Sequence, residues 1–335
     1  MAVRRTLLFL ASIALAIVLI GVLIKISGID LRVTWRQLKS VRLLSFVKVL
    51  LLNGVLVYLS TEKWRSIDAA WRRPSDSVPS RADSLALTSV GLAMGVFFPV
   101  QFAMATARTL GTRVHGRALK RGTAGTLLEQ GFDILTISFL AAASGITWLY
   151  HGGAMMWTLL AAVATVLALL AVKPSIRGVR WVSAGFETRA SMSRSRIVRS
   201  ICELQHSGLL KAALARRLVV LSVLRFGAVV LMSIATAEAV SLHIPLWQMA
   251  AAIPFVIVAT LIAVTPGGLG VNELACATAL AAFGTPLAIG GQWALANRVL
   301  VAASYFLVAA CVVTAVYGAK IIRPSLGSVL QGDTQ

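Results

Sequence analysis

The chain has 335 residues, 58% hydrophobic and 13% charged, with a mean hydropathy of +0.84. That leaves too little polar surface to cover a soluble globule and excludes disordered, collagenous and disulfide-rich chains. Lys and Arg outnumber Asp and Glu by 32 to 12, a formal +20, but the basic residues lie mostly between apolar runs, where they set topology in a polytopic membrane protein.

Uncharged stretches of the length needed to cross a bilayer mark the spans. Thr6 to Ile24 follows Arg4 and Arg5 and lacks a small-residue cleavage site, which predicts a retained helix, not a removed signal peptide. Leu31, Trp35 and Leu38 then recur at helical spacing with Arg32, Arg36 and Lys39 between them. This suits a short helix lying in the interface; the other reading is that the first span ends elsewhere. Leu43 to Leu59 forms the next span, with Lys48 near its start. Ser84 to Ala107 is uncharged but interrupted by Gly91, Gly95 and Pro99. Ile134 to Val172 predicts a helical hairpin turning at His151-Gly152-Gly153.

A basic stretch, Lys173 to Arg217, follows, with ten basic and two acidic residues. It reads as a positive-inside loop with some amphipathic helix, or as a surface that gathers anionic lipid. Leu218 to Val240 is a further span carrying Arg225 and Glu238. Leu246 to Phe283 is apolar but broken by Pro254 and by Thr265-Pro266-Gly267-Gly268-Leu269-Gly270; the last span lies within Gln292 to Tyr317. A cytoplasmic N-terminus with both broken segments re-entrant puts twenty-four Lys and Arg on the cytoplasmic face, Lys63 and Arg108 among them, against six outside.

The expected fold is therefore all-α: one transmembrane domain, 1–335, a polytopic helix bundle with two re-entrant broken segments. Its halves, about 1–172 and 218–323, form an inverted-topology repeat joined by a basic cytoplasmic loop, 173–217. Each broken segment holds a proline, Pro99 or Pro266, and some thirty residues later comes a polar cluster, Glu129-Gln130-Gly131-Phe132-Asp133 or Asn297-Arg298.

Charges inside a bilayer are costly and usually face the bundle interior. The candidates are Glu129, Asp133, Arg225, Glu238, Glu273 and Arg298. Glu273 and Arg298 are the only formal charges between Glu238 and Lys320, so mutual pairing is the simplest expectation. Glu129 and Asp133, four apart, share a helix face and could meet Arg108 or Arg225, or carry a proton. Structural ion pairing and a transport role both fit such pairs. Pro266, Gly267, Gly268 and Gly270 suit a non-helical tip that lines protein or water and offers free N–H groups to an anion; small-residue helix packing is the alternative. Cys202, Cys276 and Cys311 are far apart, and the four histidines lack metal-ligand spacing. No cofactor and no nucleic-acid partner is expected.

Three motifs resemble the lysylphosphatidylglycerol synthase transmembrane-region family and its stand-alone relatives. Glu62-Lys63-Trp64-Arg65 resembles the family's basic-Trp signature. Glu129 to Asp133 resembles its Glu-Arg-x-x-Asp motif, with Gln130 where Arg is usual. Pro266 to Glu273 with Arg298 resembles its Pro-Gly-Gly-Leu-Gly-Val-x-Glu motif and later Arg. Ala103-Met104 stands where the family has a Gly-acidic pair. The resemblance implies a multi-pass cell-membrane protein that moves a lipid between leaflets. The family does not fix the head group; an anionic or polyprenyl-linked (glyco)lipid is the expected cargo, and no aminoacyl-transfer domain is expected. Glu129, Asp133, Glu273 and Arg298 would bind substrate in a central hydrophilic cavity, with the tip formed by Pro266, Gly267, Gly268 and Gly270 touching the head group. Membrane lipids, and a lipid-modifying enzyme, are the expected partners. No nucleophile elbow or metal motif marks the chain as an enzyme; a non-transporting accessory role beside a lipid synthase or glycosyltransferase is the other reading.

Overall fold

The structure is a computed structural model that describes residues 2–70, 79–114, 119–187, 211–262 and 265–318. Arg72, Arg73, most of the basic stretch (188–210), Val264, Lys320 and Arg323 lie outside the described residues. All regular structure among the described residues is helical. Helix α1 (Ala2–Ser27) leads to α2 (Leu31–Lys39), and the axis turns by 99° between Ser12–Ser27 and Leu31–Lys39. Asp30 caps α2: its carboxylate accepts the N–H groups of Arg32 at 2.7 Å and Val33 at 3.4 Å. Leu31 and Trp35 stay exposed, as an interfacial helix requires.

The spans are α3 (Leu43–Ala70), α6 (Leu119–Leu149), α7 (Ala154–Glu187), α8 (Ala212–Ala239) and α11 (Leu287–Val313). These five contain apolar stretches long enough to cross a membrane. Three boundaries differ from the sequence reading. Helix α3 continues to Ala70, which places Lys63 inside the bundle with no solvent exposure. Arg108 is equally buried within α5 (Val100–Val114). Neither belongs to a cytoplasmic loop, and both leave the topology tally. The expected loop 173–217 is helical up to Glu187, through Pro174, and again from Ala212.

The two broken segments are helical hairpins. Helix α4 (Arg81–Met94) turns at 95–99 and packs back against α5; α9 (Leu246–Ile262) turns through Pro266–Gly268 and packs back as α10 (Val271–Ala282). Pro254 lies inside α9 and does not break it. At about 1.5 Å per residue, arms of 14 and 15 residues, and of 17 and 12, all stop short of the roughly 30 Å hydrocarbon core.

The hairpins are rooted at opposite ends. Arg81, at the start of α4, lies 3.8 Å from Glu62 near the end of α3, and Glu62 also faces Arg217 of α8 at 3.7 Å. Beside them, Ile67, Phe132, Val172 and Leu218 form one core cluster. At the other end, Gln248 near the start of α9 accepts a hydrogen bond from Thr285, just past α10, at 2.6 Å. Lys48 and Glu238 pair there at 3.8 Å, largely exposed.

Candidate functional site

The end of the bundle that roots the α4–α5 hairpin encloses a cavity of about 200 Å³ between α5, α6, α8 and α9, with Ser60 of α3 at its wall. Its polar lining includes Arg108, Glu129, Gln130, Asp133, Arg225 and Thr260; Ile137, Phe226 and Ile257 are among its apolar residues. Helical spacing builds this set. Ser60, Lys63 and Trp64 fall on one face of α3, and Glu129 and Asp133 on one face of α6.

Arg108 holds the first ion pair. Its Nη1 donates to Glu129 Oε2, and its Nη2 to the Ser60 carbonyl at 3.2 Å. The guanidinium carbon lies 5.2 Å from the centroid of Trp64, within cation–π range. Asp133 holds two cations: Lys63 Nζ donates to Oδ1 at 2.5 Å and Arg225 Nη1 to Oδ2 at 2.9 Å. One carboxylate thereby ties together α3, α6 and α8.

The tips of the hairpins meet at a separate place. Pro266 opens a tight turn in which Gly267, Gly268 and Gly270 take φ of +57°, +71° and +80°. Two of these glycines are also needed for space. A Cβ on Gly267 would run into the carbonyl oxygen of Val96, and one on Gly270 into Ala16 and Leu19 of α1. Glu273 sits at the third position of α10, where its Oε2 accepts the Gly270 N–H at 2.6 Å. Its Oε1 lies 3.8 Å from Arg298 Nε. Arg298 Nη2 then donates to the carbonyls of Gly267 at 2.8 Å and Val96 at 3.2 Å, joining the two tips. Gln130 of α6 makes the corresponding contact to the first hairpin, but a long one: its Nε2 is 3.5 Å from the Gln101 carbonyl.

The eight residues expected in one site thus fall in two. Glu129 and Asp133 line the cavity; Pro266, Gly267, Gly268, Gly270, Glu273 and Arg298 form the tip junction and are not among the residues that line it. The helix terminus expected to offer N–H groups to an anion gives the Gly270 N–H to its own Glu273. Arg108 and Arg225 meet Glu129 and Asp133 as the sequence allows; Lys63 and Trp64 also belong to the cavity cluster, and nothing in the local sequence assigns them to it. The available signal is the motif Glu62 to Arg65, which resembles the family's basic-Trp signature. Among the described residues no group of three His, Cys, Asp or Glu could hold a metal ion.

The family model of the lysylphosphatidylglycerol synthase TM region matches residues 9–323, almost the whole chain. No curated protein and no solved structure matches it.

Proposed function

The chain belongs to the lysylphosphatidylglycerol synthase transmembrane-region family, and from that premise we propose that it is a lipid transporter of the cell membrane, moving an anionic or polyprenyl-linked lipid between leaflets. The observation that carries this reading is the cavity, with two carboxylates and two guanidinium groups in its lining and a buried lysine behind. Burying five charged groups is costly, and membrane proteins retain such groups chiefly along substrate paths. Exposed Ile134 and Leu261 also line the cavity, so acyl chains can stay in lipid while a head group occupies the polar interior. Above the cavity the two hairpin tips close on each other through Arg298. Hairpins rooted at opposite ends are the arrangement that an inverted repeat uses for alternating access. On this reading the tip junction is the barrier and the cavity is the site on one side of it.

Leaflet exchange of fluorescent lipids in vesicles holding the purified full chain tests the proposal. Protein-dependent exchange is expected, and Asp133→Ala should lower it about tenfold, equivalent to ~1.4 kcal/mol on the barrier. Absence of exchange with anionic, zwitterionic and polyprenyl-phosphate lipids, from protein shown to be folded, would replace transport by the accessory role and direct the search to a partner synthase or glycosyltransferase.

A further inference from the structure

The charges around the cavity do not cancel. Arg108 and Arg225 line it together with Glu129 and Asp133, a set that is neutral by itself. Lys63 changes the sum. It lies behind Asp133, outside the residues that line the cavity, with no solvent exposure, and its Nζ donates to Asp133 Oδ1 at 2.5 Å. Asp133 therefore answers two cations, since Arg225 Nη1 donates to its other oxygen at 2.9 Å. Glu129 is engaged by Arg108. One positive charge is left over in this cluster, beside apolar residues such as Ile137 and Phe226 that offer no counter-charge. An uncompensated buried charge is unfavourable, and an anionic ligand relieves it.

A second observation points the same way. Arg108 is wholly buried and lines the cavity, yet its Nε has no hydrogen-bond acceptor. The rest of the guanidinium is well served, by Glu129, the Ser60 carbonyl and the Trp64 ring. Buried N–H groups are nearly always paired, so a lone donor on a residue that lines the cavity marks a missing acceptor that a ligand can supply. The side chain of Arg225 keeps 31% of its exposure and remains open to a ligand.

We infer that this cavity binds the phosphodiester of a lipid head group with a net charge of minus one, and that Lys63 sets this preference by neutralising Asp133 from behind. The inference rests on the lipid-transport reading of the same cavity and specifies its substrate class. A phosphodiester supplies one negative charge and two unbridged oxygens, which suit the Arg108 Nε donor and the Arg225 charge. A cavity of about 200 Å³ has room for a phosphate with a small polar substituent. Head groups of zero net charge leave the surplus unmatched, and cationic ones add to it.

Binding measured apart from transport tests this. The detergent-purified full chain is titrated calorimetrically with dioctanoyl phosphatidylglycerol, dioctanoyl phosphatidylcholine and inorganic phosphate. Phosphatidylglycerol is expected to bind about tenfold more tightly than phosphatidylcholine and than inorganic phosphate. Lys63→Met should abolish the preference, and Lys63→Met with Asp133→Asn, which restores a surplus of one, should recover it. Asp133→Asn alone raises the surplus to two and should shift the preference toward dioctanoyl phosphatidic acid; it carries the test if Lys63→Met does not fold. Equal binding of the first two lipids, or a preference unmoved by Lys63→Met and by Asp133→Asn, would overturn the inference. Inorganic phosphate binding as tightly as the lipid would assign the site to a free anion instead. Selective binding without leaflet exchange would leave this inference standing and remove the transport reading; exchange without head-group preference would do the reverse.

Discussion

At the scale of the residue, the cavity cluster should behave asymmetrically under mutation. Glu129 is the carboxylate partner of a fully buried Arg108. Removing it leaves a cation in a low-dielectric setting, where breaking a buried pair costs about 3–5 kcal/mol. Glu129→Ala is therefore expected to lower the midpoint of thermal unfolding in detergent sharply. Arg108→Leu combined with Glu129→Leu removes both charges and should recover most of that loss, because a well-packed apolar pair replaces an ion pair at little net cost. An equal loss in the double variant would mean that Trp64 and the Ser60 carbonyl, not the carboxylate, hold Arg108 in place. The sequence reading reached Glu129 and Asp133, since two acids four residues apart in an apolar context stand out. Lys63 was harder to place. The uncharged run ends near it, so it resembles the first residue of a loop. Its burial in α3 and its contact with Asp133, seventy positions away, show that the helix carries it inward.

At the scale of the element, the two hairpin tips differ in how firmly they are held. The second tip has its own carboxylate, Glu273 on the Gly270 N–H, as well as Arg298 on the Gly267 carbonyl. The first has Arg298 on Val96, reaching across from the other half, and the long Gln130 contact. Phe97 and Phe98 beside it are 60% and 52% exposed. Arg298→Ala should therefore raise amide hydrogen exchange more in 95–98 than in 267–270, because Glu273 still caps the second tip. Equal increases would show that the tips open as one unit. Packing at the junction gives a further test. Gly267→Ala places a Cβ at positive φ against the Val96 carbonyl, costing about 1–2 kcal/mol from conformation alone. Gly153→Ala, with open space at its Cβ, should stay within roughly 0.5 kcal/mol, and thermal unfolding separates the two. Both hairpins were legible because Pro99 and the Pro266 to Gly270 run interrupt apolar stretches. The same logic misread Pro254, which stays inside α9; packed membrane helices tolerate such prolines by re-satisfying the freed backbone groups.

At the scale of the whole molecule, the opposed rooting of the hairpins fixes which connections share a side. Glu62 gathers Arg65, Arg81 and Arg217 at one end, while the turns at 150–153 and 240–245 follow helices that run toward the other. Moving Lys63 and Arg108 inside the bundle takes two charges from the basic end, and the remaining excess is still large enough for the positive-inside rule to orient the chain. The α2 segment kept its predicted form, because its amphipathic spacing and its Asp30 cap are both local. The two-site division of the charged residues was not legible, because it depends on where α6 and α11 pack relative to the hairpins. The orientation itself can be measured. In a cysteine-free background, His151→Cys and Ser241→Cys should react with a membrane-impermeant maleimide applied to intact cells. Ser80→Cys should react only after permeabilisation. Labelling of all three from outside would contradict the opposed ends of the fold. A reversed pattern would keep the fold and invert it, placing the cavity toward the outer leaflet, so that any lipid it binds would first be met there.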